Sequence, residues 1–120
     1  MRSSLVALLL ILALALVGLA ACGADTASDV SGGAGDAAAG ESLFKLECAN
    51  CHSTAAGVDL AGPSLAGISA KGEQALHEAI VNPDAELAAG FDKGIMPNSF
   101  GKQLTTQQIN NLIAYLLTLK

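Results

Sequence analysis

The chain has 120 residues, 52% of them hydrophobic and only 3% aromatic, with no Trp and a formal net charge of -5. That length fits one domain, and the acidic balance argues against binding to nucleic acid. A polytopic membrane protein is excluded as well, because the apolar residues crowd one end: residues 1–22 hold 18 of them.

Met1 and Arg2 make a short positive start, and the run from Leu5 to Cys22 carries no charged or strongly polar side chain. A basic start, an apolar middle and small residues at the end are the pattern of an export signal. The run closes with Leu19-Ala20-Ala21-Cys22, which resembles the lipobox of bacterial lipoproteins, whose Cys is lipidated and becomes the new N-terminus. Residues 1–21 therefore read as a lipoprotein signal peptide. An uncleaved signal anchor is the alternative, since about 18 apolar residues can just span a bilayer. Either way the rest of the chain is expected outside the cytoplasm, periplasmic or on an outer face, and tethered to a membrane. Several lipid chains on Cys22 would anchor stably, where one binds only marginally.

Residues 22–35 form the next segment: after Cys22 come only Gly, Ala, Ser, Thr and Asp, with Val30 the only larger apolar side chain. Such a stretch buries too little surface to offset its ordering entropy and reads as a flexible linker. A coil of about 13 residues reaches roughly 20 Å. Residues 36–120 are the expected folded domain. Asp36 can cap a helix running to about Glu47, with Leu43 and Phe44 on its buried side and Glu41 paired with Lys45 four residues on. Gly40 inside that helix costs about 1 kcal/mol relative to Ala, which is tolerable where a second helix must come close.

The helix leads into Cys48-Ala49-Asn50-Cys51-His52. The spacing C-x-x-C-H is the attachment signature of c-type haem. Two thiols one helical turn apart can add to the two vinyl groups on one porphyrin edge, and His52 is then carried under the ring as an iron ligand. A Cys48–Cys51 disulfide or thioredoxin-like motif is the first alternative, but such motifs lie near βαβ patterns and none is visible. Zinc, the second, needs four ligands, and only His77 or an acid could complete the set.

Haem iron then needs a sixth ligand. Apart from Met1 the chain has one Met, Met96, set between Gly94 and Pro97 and 44 residues after His52. A thioether opposite an imidazole raises the haem potential and suits one-electron transfer. An ordinary gap-filling Met fits that Gly/Pro-bounded loop poorly. His77, the rival, falls off the apolar stripe of a short helix over Gly72 to Val81 and reads as solvated; Asn82-Pro83 stops that helix. Thr105 and Gln108 form a capping box, with Leu104 and Ile109 as a hydrophobic staple. Ile109, Leu112, Ile113 and Leu116 then recur at helical spacing. Nothing alternates with period two, so the expected fold class is all-α.

With these residues in place, the chain from about 36 to 120 resembles a class I c-type cytochrome. The resemblance implies a small cytochrome c fold, three to five helices wrapped around one covalently attached haem c. It also implies that Gly40 and Phe44 pack on Leu112 and Tyr115 of the last helix. In Gly62-Pro63-Ser64-Leu65 it makes the Pro63 carbonyl the acceptor for the free ring nitrogen of His52 and sets Leu65 against the haem. The absence of Trp departs from better-known members, in which a Trp bonds a haem propionate.

The function these readings imply is one-electron transfer by a membrane-tethered, extracytoplasmic monohaem cytochrome with His52 and Met96 as axial ligands. No catalytic residue and no small-molecule substrate are expected. Partners would be redox proteins of a respiratory or photosynthetic chain. Two alternatives stand beside it: a haem-bearing subunit of a larger respiratory complex, and a five-coordinate haem with peroxidase-like or ligand-binding activity. Val58, Leu60 and Phe100 are the candidates for an exposed apolar patch that a fixed subunit would use.

Overall fold

A computed structural model describes residues 34–120. The signal segment, Cys22 and all but the end of the linker lie outside the described residues. Among those described there is no strand, and no helix is long and apolar enough to cross a membrane. In chain order the elements are α1 (Ala37–Glu47), a 3-10 turn (Ile68–Lys71), α2 (Glu73–Val81), α3 (Phe100–Gln103) and α4 (Thr106–Leu116).

Helix α1 starts where its side chains dictate. Asp36 is extended at its N-cap, and its Oδ1 accepts from the amides of Ala38 at 2.8 Å and Ala39 at 3.2 Å. A cap of this kind contributes about 1 kcal/mol. The Glu41–Lys45 pair forms at 2.7 Å on the exposed side. Helix α4 begins with the expected box: Gln108 N–H donates to Thr105 Oγ1 at 3.2 Å, and Thr105 N–H to Gln108 Oε1 at 2.8 Å.

These two helices cross at closest range. A Cβ on Gly40 would lie 1.9 Å from the Asn111 carbonyl oxygen, so only a residue without a side chain permits the approach. Asp36 N–H donates to Asn111 Oδ1 at 2.8 Å and pins the start of α1 to the same turn of α4. Further along, the Phe44 and Tyr115 rings stand 5.3 Å apart at 50°, within the range in which aromatic pairs attract. Phe44 joins Leu76 and Ile80 of α2 and Ile109, Leu112, Ile113 and Leu116 of α4 in one buried cluster. Gly40 and Phe44 thus meet the last helix as the family resemblance implied.

Three expectations shift. Gly72 is the N-cap of α2 and not its first residue; its φ of 79° suits glycine. Phe100 is not a surface residue: it opens α3 and packs, partly buried, against the core, whereas Val58 and Leu60 are 44% and 49% exposed. The 3-10 turn and α3, four residues each, have no counterpart in the sequence reading.

Candidate functional site

The motif Cys48 to His52 is a continuation of α1 rather than a separate loop. Cys48 is the C-cap of the helix, and its amide and that of Ala49 both donate to the Phe44 carbonyl at 2.9 Å. The amides of Cys51 and His52 then turn back to the Cys48 carbonyl at 3.0 and 2.9 Å. That turn is held against the segment beyond it: Gly62 N–H donates to the Cys51 carbonyl at 2.7 Å, and Leu65 N–H to the Ser53 carbonyl at 2.8 Å.

His52 Nδ1 lies 2.9 Å from the Pro63 carbonyl oxygen. A carbonyl only accepts, so Nδ1 carries the proton and donates. In the neutral ring this leaves Nε2 as a bare lone pair, the form that binds metal. A backbone acceptor also fixes the ring's orientation. The ring lies close against Gly62: a Cβ there would come within 2.5 Å of His52 Cε1 and 2.9 Å of Nδ1. The sequence reading missed this role of Gly62; nothing local signals it, because the partner ring is ten residues away in the chain.

Beside the ring opens a cavity of about 930 Å³, near the top of the roughly 300–1,000 Å³ that ligand sites span. Its lining brings together Cys48, Cys51, His52, Pro63, Leu65 and Met96. Leu76, Ile80, Leu112 and Leu116 of the buried cluster form an apolar wall of the same space. Both cysteines carry free thiols, so the disulfide alternative is not adopted. Burial, then the Glu47 carboxylate and Cys51, push the Cys48 thiol up to about 11. His77 is exposed on α2 and does not line the cavity. Among the described residues no three His, Cys, Asp or Glu side chains converge as a metal cluster.

The donor set fits a large, flat, mostly apolar group bound at one edge by two thiols and through a metal by an imidazole. Cys48 and Cys51 would hold it covalently, His52 Nε2 would bind its iron, and Leu65 with the core wall would cover it.

The comparisons with known proteins agree. The sequence profile of the family described as Cytochrome c matches residues 37–120. The chain is 41% identical over 88 residues to Cytochrome c6 of Rippkaea orientalis, covering 70% of this chain and 71% of that protein. It is 38% identical over 93 residues to Cytochrome c-554(547) of Halothiobacillus neapolitanus, covering 72% of this chain and all of the relative.

Proposed function

The chain belongs to the cytochrome c family, and from that premise we propose that it carries single electrons outside the cytoplasm through one haem c, with His52 and Met96 as axial ligands. It is an electron carrier and not an enzyme, as expected of a relative of these cytochromes. The haem supplies a reversible one-electron couple whose potential a His/Met pair raises.

One observation carries the ligand assignment: the cavity that Cys48, Cys51 and His52 line is also lined by Met96, 44 residues further along. Each residue has a task. The two thiols fix the haem edge, Pro63 holds the His52 ring through Nδ1, and Leu65 excludes water beside it. Met96 would bind the iron as the second protein ligand, which would leave no place for peroxide or another small molecule.

The distribution of charge supports a redox partner with a basic face. Glu47, Glu78, Asp84, Glu86 and Asp92 line the cavity against the single Lys71. Elsewhere in residues 34–120 four carboxylates and four lysines balance. The negative pole therefore sits at the cavity and steers a positive surface toward it. Exposed Leu87 and Ile95 on the same lining add apolar contact once the partner has arrived.

Residues 1–21 act as the export signal in this reading, Cys22 carries the lipid, and residues 22–35 tether the domain to the membrane. The mass of the mature protein tests the anchor: a chain beginning at a lipid-modified Cys22 is expected, and an intact chain that keeps Met1 would end the claim.

The ligand assignment is tested by absorption. Oxidised holoprotein is expected to show the weak far-red band of sulfur-to-iron ligation, and Met96→Ala to abolish it. A band that survives the substitution would overturn the assignment.

A further inference from the structure

Met96 is carried by the eighteen residues from Asn82 to Ser99, which join α2 to α3 without a helix of their own. A connection this long and irregular does not by itself hold one side chain in a fixed place. Within it, Ala85 N–H bonds the Asn82 carbonyl at 3.0 Å and Phe91 N–H the Ala88 carbonyl at 3.1 Å. Both are tight local turns, and neither links the two limbs of the loop.

One bond does link them. Gly94 N–H donates to Asp84 Oδ1 at 2.9 Å, tying the start of the loop to a point two residues before Met96. Asp84 follows buried Pro83 at the end of α2, and Gly94 takes a φ of 77°, which glycine adopts without strain. Asn82 Nδ2 bonds Glu78 Oε1 of α2 at 2.8 Å at the loop's start; the remaining side-chain tie, Lys71 Nζ to Glu86 Oε1 at 2.5 Å, joins groups 46% and 76% exposed. It grips the limb remote from Met96, and exposed pairs hold weakly.

We propose that Asp84 is a positioning residue for Met96: its carboxylate, by holding Gly94 N–H, keeps the Met96 turn closed on the cavity that His52 also lines. The inference rests on Met96 being the axial ligand proposed above. Asn at position 84 supplies an acceptor at the same place, whereas Ala supplies none.

The test is a titration of the oxidised holoprotein with imidazole, which competes with the thioether, read by loss of the far-red band. Wild type, Asp84→Asn and Glu86→Gln are expected to lose the band at similar concentrations. Asp84→Ala should lose it at about tenfold lower imidazole, the equivalent of about 1.4 kcal/mol. Asp84→Ser, too short to reach Gly94, should follow Ala and replaces it should Ala fail to fold. Wild-type behaviour of Ala and Ser overturns the proposal. So does an Asn variant as sensitive as Ala, or a Glu86→Gln shift of the same size, because the first denies the acceptor its role and the second makes any loosening of the loop sufficient. The two readings fail separately: a band that survives Met96→Ala removes the ligation itself. A band lost in Met96→Ala, with Asp84→Ala unchanged from wild type, removes only the role of Asp84.

Discussion

The α1/α4 crossing and the Met96 loop face the same cavity but are held in opposite ways. At the crossing, two capped helices touch backbone to backbone through Gly40, and an aromatic pair and a buried Leu112 fill the space below. In the loop, the side chains around Met96 are exposed and the limbs are joined by one carboxylate-to-amide bond. The first region is specified by packing between groups of the chain itself. On the ligation proposed above, the second would acquire its main partner only when the cavity is filled. Such a cytochrome would separate the part that must fold from the part that must ligate.

The largest expected effect comes from withholding the haem, which tests whether the crossing can stand by itself. Much of the wall of the cavity of about 930 Å³ is the buried core itself, and a group that binds only the folded state supplies part of its stability, so withholding it predicts collapse. Protein made without haem attachment should lose most of its helical circular dichroism at 25 °C; retention of the holoprotein signal would show the crossing to be self-sufficient.

Gly40→Ala probes the crossing from within. The new methyl would sit 1.9 Å from a backbone carbonyl that cannot step aside as a side chain would. Overpacking of this kind costs about 1–3 kcal/mol or more, against about 1 kcal/mol gained in helix propensity. The holoprotein should melt about 10 °C lower, given about 4–8 °C per kcal/mol in a domain this small. An unchanged Tm would mean that the helices slide apart freely and the comparison is drawn too sharply. The Asp84 variants fall below both, since they should alter ligand competition while leaving the melting temperature nearly in place.

The same contrast explains what could be read in advance. Helices α1 and α4 announce themselves through Asp36, the Thr105–Gln108 box and a repeating apolar stripe, because those signals are local. Cys48, Cys51 and His52 are legible for the same reason: their chemistry is in their spacing. The 3-10 turn and α3 are single turns, too short for any periodicity to register. Phe100 reads as a surface candidate because what buries it, the far end of α2 and the core behind, is distant in sequence. Gly62 and Asp84 escape for a related reason. One matters through a ring ten residues before it and the other through an amide ten residues after it, and neither spacing repeats.

Helix α1 also sets a distance. Its first turn is fastened to α4 at Asn111, while its last turn delivers Glu47 and Cys48 to the cavity. Eleven residues at about 1.5 Å each make a rod of roughly 16 Å. On the tethered reading proposed above, an anchor joined to the first end would leave the cavity mouth at the other end of a stiff spacer. Such a domain would present that mouth to successive partners without leaving the surface to which it is moored.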